Sequence, residues 1–304
     1  MQGLSELLTE WGIYMYVLEV PYISLDQIYD STQMLTWTKL RDGKYVIVHG
    51  DKVLKVQQQK QRLIMSCSED DFCNVWFHYF GLSVDYQQIN YRIRRESDVM
   101  LRSWANRCRG LRIVQQTPFE ALLSAGLLSI SKSYNLAKAK FQVINETFGI
   151  KHVQSMREAG RVRWFEFPTA ETILSRKDEL EKCFLTYKEI DFVVAACSSV
   201  ADGKLNLEEL KGQDYNTIIE ELVAQDYMTK KMAQYICQFG YGLWNDDFVL
   251  YGVASVIDKE FDLDYATFAD WYFANIKGQH CVGQQYILYN KKNPPKEGSE
   301  VIWD

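Results

Sequence analysis

The sequence predicts an α+β protein in which a small antiparallel sheet precedes a mostly helical body. Residues 15 to 65 alternate apolar and polar residues in short runs that turn signals separate. Within them, YVIVHGDKVLKV predicts two strands around a turn at Gly50 and Asp51, and Asp42-Gly43 begins the same hairpin system. From Asp70 onward the apolar residues recur about every 3.6 positions, which is the period of a helix. Strands followed by helices are typical of the α+β class.

The helical part has clear boundaries. Pro118 stands at the first turn of one predicted helix, and Gly149 stands just beyond the end of another. We therefore divide the chain into an antiparallel β domain at 1–68, a helical domain at 69–292 and a loosely held tail at 293–304. The stretches with helical periodicity include EDDFCNVWFHYF, DYQQINYRI, PFEALLSAGLLSISKSYNLAKAKFQVINETFG and TAETILSRKDELEKCF.

The composition is that of a soluble globular protein, with 304 residues, 47% apolar and 24% charged. No apolar run approaches the roughly 20 residues that cross a bilayer, and the N-terminus lacks the basic start of a signal peptide. We therefore expect a cytoplasmic protein without a membrane partner. The seven cysteines contain no C-x-x-C pair, so we expect no disulfide framework, metal or other cofactor.

One segment is rich in arginine although the chain as a whole has a negative net charge. The net charge of -6 counts, on composition alone, against nucleic acid as a partner. Residues 91–112, however, carry seven arginines against two acidic residues. One interpretation is a solvated helix face. The other is a local phosphate-binding face, to which Arg109 and Arg112 would contribute as DNA-binding residues.

Several stretches, in order along nearly the whole chain, resemble the 8-oxoguanine DNA glycosylase family of the helix-hairpin-helix superfamily. STQMLTW (31–37) resembles the family's S-G-Q-x-F-R-W strand, and YFGLSVDY (79–86) resembles its Y-F-x-L-x-x-D-Y segment. RGLRIVQQTPFEALLS (109–124) is similar to its G-[LV]-R-[IL]-L-[RQ]-Q-D-P-x-E-x-L segment. FEFPTAETI and GQHCVGQQYILY (278–289) resemble two further family segments.

The resemblance implies a twisted antiparallel sheet joined to a helical glycosylase body, in agreement with the α+β prediction. It also implies a monomeric enzyme of DNA repair that binds duplex DNA, flips a modified base out of the stack and cleaves its N-glycosidic bond. The resemblance allows a weak lyase activity at the abasic site as well. Base flipping is necessary because the reacting atoms are inaccessible inside stacked DNA.

The stretch YMTKKMAQYICQF (227–239) aligns with the family's G-V-G-x-K-V-A-D-C-I-C-L-F hairpin and places the catalytic lysine at Lys231. Helical geometry favours the same choice, because Lys231 lies only about 40° from Tyr235 and thus at the border of the apolar stripe. Lys230 lies about 200° from Met232, so we expect it to face solvent or DNA phosphate. A partly desolvated lysine has a lowered pKa and is a better nucleophile. The plain alternative is a lysine whose stem covers the border of the core.

Two features depart from the family's catalytic pattern. The stretch YMT replaces the hairpin glycines that let backbone amides approach a phosphate. The family's catalytic aspartate aligns without gaps with Leu250, which has no charge to stabilise a cationic sugar. A short shift in the loop would bring Asp246 or Asp247 to that position, and we favour Asp247 as the second catalytic residue. An ordinary helix N-cap is the alternative role for either aspartate.

The base pocket and the DNA wedge also follow from the resemblance. Gln285 and Tyr289 match the family's base-reading glutamine and stacking aromatic, and their i, i+4 spacing puts both on one helix face. Thr32 stands where the family has a glycine that contacts the oxidised purine, so its side chain should crowd that base.

The stretch LTYKEIDFV (185–193) resembles the family's L-G-Y-R-x-R-Y-V and places an aromatic wedge at Tyr187 and an orphan-base contact at Lys188. SISKSY (129–134) replaces the family's asparagine run, so Ser131 or Lys132 is expected to fill the gap that the flipped base leaves.

The leading hypothesis is a DNA glycosylase whose substrate is not ordinary 8-oxoguanine. A bulky modified base, such as a glucosylated hydroxymethylcytosine of phage DNA, would make the chain a defence enzyme. A catalytically inactive relative that binds DNA is the alternative that Leu250 and the missing hairpin glycines favour. A protein-interaction module on the same scaffold is the alternative that the net charge favours.

Overall fold

The computed structural model describes residues 15–31, 33, 35–41, 43–96, 99–131, 133–156, 160–244, 249–250, 252–253, 256 and 280–294. Its main sheet has five antiparallel strands in the order β1-β5-β4-β3-β2. The strands are β1 (Tyr16–Glu19), β2 (Thr38–Lys39), β3 (Lys44–His49), β4 (Lys52–Gln59) and β5 (Arg62–Met65), and helix α1 (Leu25–Asp30) lies between β1 and β2.

The turn predicted between β3 and β4 sets their register. Val48 pairs with Val53 and His49 with Lys52, so Gly50 and Asp51 form the two-residue connection. Gly50 has φ +59, a left-handed conformation that glycine adopts without strain. The inner face of this hairpin, including Tyr45, Ile47, Leu54 and Val56, is fully buried against the helical body. The predicted antiparallel sheet at the start of the chain is therefore confirmed.

The helical body begins with a nearly continuous segment made of α2 (Glu69–Asp71), a π-helical turn (Phe72–Trp76) and α3 (Phe77–Tyr79). The remaining elements, in chain order, are α4 (Tyr86–Glu96), α5 (Val99–Arg107), α6 (Pro118–Ile130), α7 (Tyr134–Phe148), α8 (Ala170–Ser175), a 3-10 helix (Lys177–Cys183), α9 (Tyr187–Ala201), α10 (Tyr215–Val223), α11 (Lys230–Gly240) and α12 (His280–Lys292).

Helix α6 is the centre of this body and packs against α7, α9 and α11. Its start is fixed by a capping box, in which the Thr117 hydroxyl accepts from the Glu120 N–H and the Glu120 carboxylate accepts from the Thr117 N–H. Gly126 lets α9 approach closely, because a Cβ on Gly126 would lie 1.9 Å from Cε1 of Phe192. One hydrophobic core therefore runs from the sheet through α6 to α11 and α12.

A two-stranded hairpin interrupts the helices at a place where the sequence predicted no strands. Strands β6 (Lys151–Met156) and β7 (Gly160–Phe165) pair antiparallel, and His152 stacks on Trp164 with ring centroids 5.6 Å apart. The Lys55 ammonium of β4 lies 5.4 Å from the Trp164 ring centroid, which ties the hairpin to the main sheet. The α+β class is confirmed with this addition, while the division at residue 68 stays a prediction.

All seven cysteines are free thiols, and six of them are buried. Among the helices that the structure describes, none is both long enough and apolar enough to span a bilayer.

Candidate active site and DNA-facing surface

Helix α11 presents its two lysines differently. Thr229 caps the helix by accepting a hydrogen bond from the Met232 N–H at 3.3 Å. Lys230 is exposed, whereas Lys231 is partly buried at the edge of the buried face. Burial lowers the pKa of the Lys231 amine from its ordinary value of 10.5. The predicted difference in exposure is therefore confirmed, and the catalytic role of Lys231 stays a prediction.

The buried face of α11 connects to the first resembling motif. The Tyr235 ring packs against Phe239, with centroids 4.5 Å apart. The Gln116 side-chain amide donates to the Tyr235 hydroxyl at 3.4 Å and to the Gln33 carbonyl at 2.9 Å. Gln33 belongs to the STQMLTW stretch, so one amide joins this stretch to the lysine-bearing helix.

Gln33 itself fixes that stretch against the chain segment before α6. Its side-chain amide donates to the Ser31 hydroxyl and to the Arg112 carbonyl, each at 2.8 Å, and its side-chain oxygen accepts from the Val114 N–H at 3.1 Å. Two motifs that lie about 80 residues apart in the sequence thus meet beside α11. Thr32, the residue predicted to crowd the base, is the neighbour of Gln33 and lies outside the described residues.

Helix α12 supplies the two predicted pocket residues. Gln285 is 2% exposed, and its side-chain oxygen is buried without a hydrogen-bond partner. Such an acceptor is costly to leave unsatisfied and points to a ligand that donates to it. Tyr289 is partly buried, and its pKa is raised by burial first and then by the nearby Cys108 and Asp30. Helix α12 contacts α1, which ends at Asp30 immediately before the STQMLTW stretch.

A cavity of about 660 Å³ opens between α12, the end of α6 and the start of α7. Among the described residues, its only charged lining groups are Lys291 and Lys292. It therefore has a positive rim above an apolar wall, and Lys231 and Tyr289 are not part of its described lining. The lining consists of Leu128, Ser131, Ser133, Tyr134, Asn135, Phe239, Leu250, Gly252, Val256, Gln285, Leu288, Lys291 and Lys292.

Leu250 forms part of this wall at the position that aligns with the family's aspartate. It is 3% exposed, and its N–H donates to the Gln284 side-chain oxygen at 2.6 Å. Asp246 and Asp247 lie outside the described residues, so the role of Asp247 stays a prediction. Lys231 precedes the cavity residue Phe239 by eight positions on α11, about 12 Å along the helix axis.

The predicted wedge is the most exposed aromatic surface in the described chain. Tyr187, the first residue of α9, is 86% exposed, and Lys188 beside it is also exposed. Phe184 is 79% exposed and has φ +57, which is rare for a residue other than glycine. Phe184 was not among the predicted wedge residues, although a large apolar residue just before a helix N-cap was a visible signal. Two exposed rings so close together favour a contact surface.

The segment that was predicted to fill the gap left by a flipped base lies next to the predicted wedge. The Ser131 hydroxyl donates to the Glu189 carboxylate of α9 at 2.7 Å, which links the end of α6 to the start of the wedge helix. Lys132 lies outside the described residues.

Arg112 was predicted to bind DNA, and the structure contradicts this. It is 4% exposed, and its guanidinium donates to the carbonyls of Tyr22 at 2.8 Å, Pro21 at 2.9 Å and Gly81 at 3.1 Å. The same group lies 4.6 Å from the centroid of the Tyr86 ring. Because its donors are used inside the fold, Arg112 has a structural role and does not reach a phosphate.

The other arginines of residues 91–112 also differ: some are bound within the fold and others are exposed. Arg107 donates to the Asn290 side chain at 2.6 Å and to the Asn293 carbonyl at 2.7 Å, so it fastens α5 to α12. Asn290 lies about 140° around α12 from Gln285, so α5 packs on the flank of α12 away from the cavity. Arg109 remains exposed, and so do Arg92, Arg95 and Arg102.

The described residues contain no group of three histidine, cysteine, aspartate or glutamate side chains that could hold a metal ion.

Solved structures of DNA glycosylases share this fold over nearly the whole chain. MBOgg1 in complex with a low-affinity DNA ligand superimposes with a TM-score of 0.81 at 20% identity, covering 96% of this chain and 99% of that one. The Clostridium acetobutylicum 8-oxoguanine glycosylase/lyase in complex with dsDNA gives a TM-score of 0.78 at 24% identity, covering 92% and 96%. The 3-methyladenine DNA glycosylase of Archaeoglobus fulgidus gives 0.70 at 18%, covering 91% and 98%. At identities below 25%, these superpositions establish that the fold is shared.

The first part of the chain matches a protein-family model. Residues 16–122 match the model of the 8-oxoguanine DNA glycosylase N-terminal domain. No curated protein sequence matches the chain significantly. The match lies in the part of the chain that carries the STQMLTW and YFGLSVDY motifs, so the resemblance predicted from those motifs is confirmed there, and the whole chain shares the fold of solved 8-oxoguanine glycosylases.

Proposed function

We propose that this protein is a DNA glycosylase that flips a modified base out of duplex DNA and cleaves the N-glycosidic bond of that base. The observation that carries the proposal is the partly buried Lys231 amine with its lowered pKa, on the helix that also forms a wall of the Gln285 cavity. A lowered pKa raises the fraction of an amine in its neutral, nucleophilic form, and a buried amide with an unpartnered oxygen is suited to read a base edge.

In the proposed reaction the Lys231 nitrogen forms a bond to C1′ of the deoxyribose. The bond between C1′ and the base breaks, and its electron pair leaves with the base, which takes up a proton. The attacking nitrogen loses one proton to the departing base and one to the ring oxygen O4′, the C1′–O4′ bond breaks so that the sugar ring opens, and a Schiff base forms between the nitrogen and C1′. Hydrolysis of the Schiff base returns the free lysine and an abasic site, while β-elimination from it would give the weak lyase activity. Asp247 is the proposed carboxylate that stabilises the cationic sugar.

Recognition of the base falls to α12. The unpartnered oxygen of Gln285 accepts a hydrogen bond from an N–H on the base edge, which removes the cost of leaving a buried acceptor unsatisfied. Tyr289 stacks on the face of the base. On the DNA side, Tyr187 enters the stack, Lys188 contacts the orphan base, Ser131 or Lys132 fills the gap, and Lys230 and Arg109 contact phosphates.

We further propose that the substrate carries a bulky polar modification, for example a glucosylated hydroxymethylcytosine of phage DNA. The cavity of about 660 Å³ offers more space than an unmodified base needs. Hydroxyl, amide and ammonium groups of Ser133, Asn135, Lys291 and Lys292 line it and are suited to bind sugar hydroxyls. Such an enzyme would defend a cell against phage DNA and would act as a monomer in the cytoplasm.

A second candidate is a relative that binds DNA without excising a base. The specific observation in its favour is Leu250, a neutral and buried side chain in the cavity wall at the position of the family's aspartate.

The test is incubation of the protein with genomic DNAs that differ in base modification, followed by an assay for abasic sites. The proposal predicts abasic sites in at least one DNA that carries a bulky modified base, with Lys231→Gln inactive and Lys230→Gln active. DNA binding that depends on salt, without abasic sites in any of the DNAs, would favour the inactive relative. Preferential release of 8-oxoguanine would contradict the proposed substrate.

A further inference from the structure

A buried ion pair joins helix α7 to helix α9 directly beneath the wedge. The Lys140 ammonium lies 2.6 Å from one oxygen of the Glu189 carboxylate and 2.8 Å from the other. The two side chains are only 7% and 1% exposed. Removing two charges from water is costly, and an apolar pair of similar volume often stabilises a protein as well or better. The pair therefore calls for an explanation other than stability.

The Glu189 carboxylate also binds both DNA-facing segments. It accepts a hydrogen bond from the Ser131 hydroxyl at 2.7 Å, in the segment that follows α6. It accepts two more from Thr186, from the N–H at 2.7 Å and from the hydroxyl at 2.9 Å, immediately before the wedge residue Tyr187. Burial opposes ionisation, but the bonds from Lys140, Thr186 and Ser131 hold the pKa of the Glu189 carboxyl below its ordinary value.

This arrangement places one charged group between two segments that have to enter the duplex together. Tyr187 is 86% exposed although Glu189, two residues later, is fully buried. The ring therefore projects from a backbone that the carboxylate holds through Thr186. Ser131 is held by the same carboxylate from the opposite side. A fully satisfied buried polar network specifies a geometry more strictly than an apolar contact does.

We propose that the Lys140–Glu189 pair is a positioning device, which fixes the wedge at Tyr187 and the gap-filling segment at Ser131 in one relative geometry for insertion into DNA. The inference rests on the proposed function, because it assumes that these two segments contact DNA. Lys140 and Glu189 contact no base themselves and act through Ser131, Thr186 and Tyr187.

The experiment compares the affinity for a duplex with one tetrahydrofuran abasic analogue with the affinity for the matched intact duplex. A 2-aminopurine opposite the analogue reports insertion by its fluorescence. The variants are Lys140→Met with Glu189→Leu, Ser131→Ala and Tyr187→Ala. Replacement of the exposed Arg176–Glu179 pair, which lies 2.7 Å apart, is the matched control. The tetrahydrofuran duplex has no base to excise at the analogue, so its binding can be interpreted even if the proposed glycosylase activity is absent.

We expect the wild type to prefer the abasic duplex by roughly tenfold, the value of about one stacked ring. The double variant should keep its circular dichroism spectrum and its affinity for the intact duplex, yet lose most of that preference and the 2-aminopurine signal, as Tyr187→Ala does. Ser131→Ala, which leaves the ion pair in place, should lose part of the preference for the abasic duplex and part of the 2-aminopurine signal. The control should keep both the preference and the signal.

Full preference and full signal in the double variant would overturn the proposal. If the double variant does not fold, an unchanged preference in Ser131→Ala would overturn it. A wild type without preference for the abasic duplex would overturn it as well, whether or not base release is seen elsewhere.

Discussion

Replacing Lys231 by methionine should stabilise the folded protein while it abolishes base release. The Lys231 amine lies at the border of the buried face of α11, where burial lowers its pKa from 10.5. A lowered lysine pKa means that folding disfavours the charged form, so the folded state carries a free-energy cost at neutral pH. Methionine has a similar length and no charge, and it extends the apolar face that begins with Met232 and Tyr235.

The size and the pH dependence of this gain follow from linkage. Each unit by which the pKa is lowered corresponds to about 1.4 kcal/mol. A single stabilising substitution commonly gains about 0.5–2 kcal/mol, and each kcal/mol raises the melting temperature of a domain of about 150–250 residues by roughly 2–4 °C. The unfolded state binds more protons between the lowered pKa and 10.5, so the stability of the wild type rises with pH in that window. The gain in folding stability of Lys231→Met is therefore complete at pH values below the lowered pKa, and it disappears at pH values above 10.5.

Thermal unfolding of the wild type, Lys231→Met and Lys230→Met at pH 7 and near pH 10 tests this reasoning. Lys230→Met is the matched control, because Lys230 is the adjacent residue on the same helix and is exposed. Its melting temperature should stay within the error of the wild type at both pH values. A Lys231→Met variant that melts below the wild type at pH 7 would refute the reasoning.

Three further outcomes are expected. Gly126→Ala should lower the free energy of unfolding by about 1–3 kcal/mol or more, because its Cβ would lie 1.9 Å from the packed ring of Phe192. Denaturant unfolding measures this change, and a variant as stable as the wild type would show that α6 and α9 can separate. Arg112→Gln should destabilise the fold without changing the salt dependence of DNA binding, whereas Arg109→Gln should lower the salt slope by about one; the reverse pattern in a salt titration would contradict these assignments. Gln285→Ala should weaken transition-state binding by about 1–3 kcal/mol, measured as kcat/KM, and an unchanged kcat/KM would remove Gln285 from base recognition.

Local sequence signals predicted the elements that local chemistry determines. The Gly50–Asp51 turn is fixed by a residue that tolerates a left-handed backbone, and the start of α6 is fixed by Pro118 with its capping box. The hairpin of β6 and β7 was not predicted, although each of its strands has six residues, as many as β3. Its attachment depends on Lys55 meeting Trp164, a contact across more than a hundred positions that no local pattern contains.

The same distinction applies to the site. The difference in exposure between Lys230 and Lys231 was predictable because helical geometry alone decides it. The role of Arg112 was not, because its partners at Pro21 and Tyr22 lie 91 and 90 residues away and a count of charges cannot distinguish a solvated guanidinium from a buried one. The network around Glu189 was missed for the same reason, since Lys140 is 49 residues distant.

The central claim is that Lys231 attacks the sugar, and covalent trapping tests it most directly. The protein is incubated with a DNA from which it releases a base, in the presence of borohydride, and the product is digested and examined by mass spectrometry. The account predicts a reduced protein–DNA adduct on the peptide that contains Lys231, which Lys230→Gln retains and Lys231→Gln lacks. Base release by Lys231→Ala at the wild-type rate, with no adduct trapped in the wild type, would contradict the account and show that an activated water is the nucleophile.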